Sequence, residues 1–132
     1  MAKISVFDTN AILRYLLRDN EDQYLVVQKE LLKIRKNSGT VVVIGEVVME
    51  CVYVLETVYR ATRVDIAEKL KAFLISDIVL QENNQVILAT LERYASVKLS
   101  YVDCLILEKT KELGAKLFTF DKKLSSFVIS EI

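Results

Sequence analysis

Histidine is absent from this chain of 132 residues, and so is proline; there are three glycines and two cysteines. Without imidazole, the Ser-His and Cys-His nucleophile systems and histidine general bases are excluded, so any catalysis must run on carboxylates, hydroxyls, lysines or a metal. Cys51 and Cys104 stand alone, with no CxxC spacing, which rules out an ordinary zinc site built from them; they read as reduced packing residues. The lack of proline, the scarcity of glycine and the absence of any low-complexity tract or repeat leave no visible linker, so residues 1–132 read as one domain. A domain of this size buries roughly two-thirds of the surface its unfolded chain exposes. Charge of either sign is not in excess: 18 Lys plus Arg balance 18 Asp plus Glu. That excludes a large, nonspecific nucleic-acid footprint but not a small, locally basic one.

What is abundant is apolar. Hydrophobic residues make up 52% of the chain, and the mean hydropathy is +0.29, which implies a thick core or a further face buried by self-association, so a homodimer is expected. The most apolar window, residues 41–59, contains Glu46, Glu50 and Glu56, each costing about 2.5–3.5 kcal/mol near a bilayer centre, so it is not a membrane span. The first residues lack the charged segment, apolar segment and cleavage site of a signal peptide. A cytoplasmic protein with no membrane attachment is the expectation.

Periodicity predicts strands at 3–7, 40–44, 78–81, 116–120 and 127–130, and helices at 10–18, 21–36, 45–59, 64–75, 83–96 and 102–113, the last stopped by Gly114. Strands alternating with helices imply an α/β fold whose parallel sheet is covered on both faces. In such sheets ligands bind beyond the carboxyl ends of the strands, and Asp8 and Asp121 both follow a strand.

Taken singly, the acids have ordinary explanations. Asp8 in "VFDTNAIL" can cap a helix, Asp103 fits a capping box opened by Ser100, and Asp121 in "TFDKKL" can cap a turn. Glu50 lies in "VVIGEVVMECVYVLETVY", where Glu46, Glu50, Tyr53 and Thr57 form one polar stripe that either faces solvent or serves a site. Taken together they say more. Two bare carboxylates about 4 Å apart repel by roughly 4 kcal/mol at an effective dielectric near 20, so a converging set of four needs a cation or protons. With oxygen donors alone, Mg²⁺ or Mn²⁺ is favoured over Zn²⁺ or copper, and carboxylate-held Mg²⁺ points to phosphoryl or phosphodiester chemistry.

"VFDTNAILRYLL", "VVMECVYVLETVY" and "SYVDCLILEKTKELGAKLFTFDKKL" together resemble the PIN domain, and within it the small VapC-type ribonucleases, over the whole chain. The resemblance implies a three-layer α/β/α fold with a five-stranded parallel sheet of order 3-2-1-4-5. It implies that Asp8, Glu50, Asp103 and Asp121 are the acidic metal-binding and catalytic set for Mg²⁺ or Mn²⁺, with Asn10, Thr119 and Ser100 as supporting polar groups. Glu46 shares the face of Glu50 and is placed outside the metal shell. The implied reaction is hydrolysis of RNA by in-line attack of an activated water, leaving 5′-phosphate and 3′-hydroxyl ends. The implied partner is a small antitoxin protein lying over the acidic site. Arg14 and Arg18, in step with Asn10 on one helix face, and Lys122 and Lys123 after Asp121 are candidate RNA phosphate contacts; a solvated charged face is the plainer meaning of the lysines.

Four rivals frame these expectations. One is a PIN nuclease that matures RNA without an antitoxin, and another a non-catalytic PIN-like module that binds RNA or protein. A haloacid-dehalogenase-like phosphotransferase would need a second Asp where Asn10 stands, and a receiver domain would need adjacent acids where Phe7 precedes Asp8.

Overall fold

The computed structural model describes residues 3–81 and 84–130. The chain starts with β1 (Ile4–Val6) and turns directly into α1 (Thr9–Leu17), because Asp8 accepts a hydrogen bond from the Ala11 amide at 2.9 Å and so caps the helix. α2 (Glu21–Lys36) is opened by Asn20, has acids in its first turn and bases in its last, and so complements its own dipole at both ends. Gly39 then lets the chain pass β1 closely: a Cβ there would sit 3.0 Å from the Lys3 carbonyl and 3.1 Å from the Ile34 side chain.

β2 (Thr40–Val42) pairs in parallel with β1, Ile4 opposite Thr40 and Val6 opposite Val42. On its other side Val41 bridges to Val79 in parallel, exchanging hydrogen bonds with Ile78 and Leu80 at 2.8 Å. β2 is therefore central, and Val41 is fully buried as its apolar run requires. The helices α3 (Gly45–Thr57), α4 (Arg63–Leu74), α5 (Asn84–Ser96), α6 (Tyr101–Leu113) and α7 (Lys122–Ser130) follow. α1 packs on α2 and α3, while α5 packs between α4 and α6. The core runs from Phe7, Ile12 and Leu13 through Val48 and Leu55 to Leu70, Leu91 and Leu107.

The expected helices appear close to their expected bounds; the start proposed at residue 83 lies outside the described residues. Two expected strands do not appear. Residues 127–130 belong to α7, since Asp121 caps a helix there and Leu124, Phe127 and Val128 fall at helical spacing on its inner side. Residues 116–120 form no strand: Phe118 and Phe120 are 80% and 92% exposed, and the chain before them is held as a helix end by Gly114 and by the Ala115 amide bonded to the Thr110 carbonyl. Among the described residues the sheet is thus β1 and β2 with one bridging segment, not five strands. None of the described helices is long and apolar enough to cross a membrane.

Candidate active site

β1 delivers Asp8 to the sheet's carboxyl edge, and α1 holds it there by the cap. One carboxylate oxygen is used by the Ala11 amide; the other takes no hydrogen bond from the described residues. Beside it lies Cys51 of α3, fully buried, its Sγ 4.0 Å from the Thr9 carbonyl. Burial pushes this thiol up to about 12, and the charges of Glu50 and Asp8 push in the same direction. Thr9 follows Asp8 and Cys51 follows Glu50, so the contact between Cys51 and Thr9 sets the segments that bear the two acids side by side.

Glu50 is exposed and faces a groove of about 530 Å³ between α3 and the start of α6. Glu46, Tyr53 and Glu56 line it from α3, and Ser100, Tyr101 and Val102 from the other side. Ser100 opens α6 by accepting the Asp103 amide at 3.1 Å, which leaves the half-buried Asp103 carboxylate in the first helical turn. Asp103 adjoins Cys104, whose thiol is raised by burial above all.

Asp121 is placed differently. Its Oδ1 accepts the amides of Lys123 and Leu124 at 2.9 and 3.1 Å, and its own amide donates to Thr119 Oγ1 at 3.0 Å. It lines a shallow cleft of about 230 Å³ with Thr119, Phe120 and Lys122. Lys123 Nζ ties this corner to the Lys98 carbonyl at 2.8 Å, two residues before Ser100.

The structure therefore sets Asp8, at the start of α1, beside the helix that carries Glu50, and sets the start of α6 across a groove from Glu50. It does not gather the four acids: among the described residues no three Asp, Glu, Cys or His side chains form a cluster that could hold a metal. Nor are the acids neutralised, since among the described residues none of the four enters an ion pair. Carboxylates without ion-pair partners, in a chain that has no histidine, fit a hard divalent cation by donor chemistry.

The supporting groups divide likewise. Asn10 is exposed one helical step from Asp8. Arg14 is committed to Asp19 at 3.1 Å and to the Tyr59 hydroxyl, and Arg18 to Glu21 at 2.9 Å and to the Tyr24 ring. Lys123 is taken by Lys98, which leaves Lys122 beside Asp121. Glu56 was not expected here. It lines the groove and accepts the hydrogen bond of the buried Tyr94 hydroxyl, whereas in the sequence it counts only against a membrane span.

The PIN domain family matches the chain over residues 5–128, and the chain belongs to that family. It is also similar to a VapC ribonuclease of Aquifex aeolicus (strain VF5), 26% identical over 113 residues that cover 86% of this chain and 83% of the relative. No solved structure matches it.

Proposed function

We propose that this chain is a Mg²⁺- or Mn²⁺-dependent endoribonuclease, the toxin of a VapC-type toxin–antitoxin pair, acting as a single PIN unit in the cytoplasm. The observation that carries the reading is the packing of the start of α1 on α3, where Cys51 Sγ lies 4.0 Å from the Thr9 carbonyl, so that Asp8 at the carboxyl edge of β1 stands beside the helix whose Glu50 lines the groove to the first turn of α6. Asp8, Glu50, Asp103 and Asp121 would hold the cation, with Asn10, Ser100 and Thr119 in support. When bound, such a cation supplies an activated water and neutralises charge on the phosphate and the leaving oxygen. The chain's own share is to place carboxylates on the scissile phosphate's side of the sheet and to keep them unpaired until cation and RNA arrive.

The finer fold belongs to the same proposal. Among the described residues β1 pairs on one edge only; its Ile4 and Val6 are exposed, and so are Phe118 and Phe120. Residues 116–120 docking on that edge as a strand would extend the order to 3-2-1-4, bury both pairs of side chains and carry Asp121 toward Asp8. An apolar groove bearing three glutamates, Glu46, Glu50 and Glu56, suits a cationic, partly apolar antitoxin segment. Exposed Leu25, Val26 and Leu32 on α2 support a homodimer.

A non-catalytic PIN-like module is the second reading, favoured by the lack of a three-acid cluster among the described residues. One experiment separates them. The chain purified without a partner is incubated with total RNA and Mg²⁺ or Mn²⁺, with EDTA, Asp8→Asn and Asp103→Asn as controls. Metal-dependent fragments bearing 5′-phosphates, lost in both variants, carry the nuclease reading; cleavage that survives EDTA and both substitutions sinks it.

A further inference from the structure

The residues that fix the start of α6 lie outside the acidic set, at the beginning of α4. Arg63 Nη1 sits 2.6 Å from the Leu99 carbonyl and 3.2 Å from those of Tyr94 and Val97. One guanidinium thus gathers the last carbonyls of α5 and the carbonyl immediately before Ser100, groups that a helix end otherwise leaves without partners. Its Cζ also lies 4.3 Å over the Tyr94 ring. That ring is fully buried and meets Tyr101, the first residue of α6, edge to face at 6.1 Å. Its hydroxyl donates to Glu56, on the same helix as Glu50. Two routes therefore lead from Arg63 to the first turn of α6: the backbone through Leu99 to Ser100, and the edge-to-face rings of Tyr94 and Tyr101. A third contact ties the same ring pair to α3.

We propose that Arg63 is a positioning residue for Asp103: with Tyr94 and Glu56 it clasps the 94–99 loop so that the first turn of α6 is held in register against the Glu50 helix. The role in metal binding rests on the nuclease reading above; the clasp itself does not. Lysine cannot replace it fully, since a compact, strongly hydrated ammonium does not lie flat on a ring as the weakly hydrated guanidinium does on Tyr94 while donating to the carbonyls. Residues of this kind act through the orientation of a ligand rather than by touching the metal.

The test compares the full chain with Arg63→Met, Arg63→Lys and, as a control remote from the groove, Arg35→Met. Amide exchange is read at Asp103 and Cys104, both hydrogen-bonded to Ser100, and Mn²⁺ affinity is read by electron paramagnetic resonance. In Arg63→Met the two amides should exchange about tenfold faster, and Mn²⁺ affinity should fall by about 10- to 100-fold. Cleavage should lose kcat with little change in KM. Arg63→Lys should fall between, and it carries the comparison alone if the Met variant does not fold; Arg35→Met should match wild type. Wild-type exchange at both amides in the Lys and Met variants, or loss of protection spread evenly over the chain, overturns the clasp. Wild-type protein that binds no Mn²⁺ and cleaves no RNA sinks the nuclease reading, while the exchange comparison still decides the clasp.

Discussion

The two ends of the proposed site are built in opposite ways. Around Asp8 and Glu50 the neighbours in sequence are core: Phe7, Ile12, Leu13, Cys51, Val52 and Leu55 are all buried. Around Asp121 they are not, since Phe118 and Phe120 stand in solvent and the acid is fixed by its helix cap and one lysine tether. A carboxylate set on packed apolar residues has its position decided by burial, worth about 25 cal/mol per Å² of apolar surface. One set by surface hydrogen bonds, each worth about 1 kcal/mol, can be moved by a ligand at modest cost. Asp8 and Glu50 are therefore set rigidly on the core, and of the proposed acids Asp121 is the one a cation could draw in at modest cost.

The largest effects should test whether both halves act. Asp8→Asn and Asp103→Asn should each lower RNA cleavage about 1,000-fold, as expected when several kcal/mol of charge stabilisation is removed. Initial rates on a purified substrate would measure it, and an active Asp103→Asn would reduce the site to the amino-terminal pair. Next comes packing. Leu55→Ala, at a side chain 1% exposed beneath the Glu50 helix, should cost about 2–5 kcal/mol in urea unfolding. Phe120→Ser should cost within about 0.5 kcal/mol if that ring stays in solvent. A cost nearer that of Leu55→Ala would mean residues 116–120 pack onto β1 in solution, closing the sheet and erasing the contrast.

The same contrast explains what the sequence disclosed. Local chemistry reads well: Asp8 and Ser100 cap helices as their residue types suggest, and Gly114 ends α6 in the left-handed region. Strands were harder because a strand needs a partner, and "KLFTF" has β-favouring residues but no paired edge among those described. At the carboxyl end the Val-Ile pair suggested a strand, yet the cap at Asp121 and the spacing of Leu124 and Phe127 make a helix. Glu50 was singled out by its apolar surroundings and does line the groove. The engagement of Arg14 with Asp19 and Tyr59 was not legible, since those partners lie 5 and 45 residues away and meet only through the fold. Arg63 escaped for the same reason: its acceptors are backbone carbonyls more than 30 residues distant.

Smaller effects sharpen the picture at the hinge between the halves. Gly114 has φ of +59° and nothing within 4 Å of where a Cβ would stand, so Gly114→Ala should cost only the left-handed backbone penalty, about 1–2 kcal/mol. Thermal unfolding would read it. A larger loss would mean that the 114–121 arm is packed against something when the protein is in solution.

The smallest effect lies far from either half, where Arg35 Nη1 holds Asp77 at 2.6 Å on the surface. The hydrogen bond from Arg35 is the main cause that lowers the Asp77 carboxyl below its ordinary value, with the guanidinium charge adding to it. A carboxyl lowered in the folded state binds protons more weakly there than in the unfolded chain. Its contribution to stability is therefore present above the ordinary carboxylate value and is lost as pH falls through the lowered one. Because both side chains are exposed, solvent and salt screen the pair, and such pairs add little. Acid unfolding curves of wild type and Asp77→Asn in 0.15 M salt should accordingly superimpose. A clear separation of the curves would show that surface charge, rather than the apolar packing under Asp8 and Glu50, carries a real share of this fold's stability.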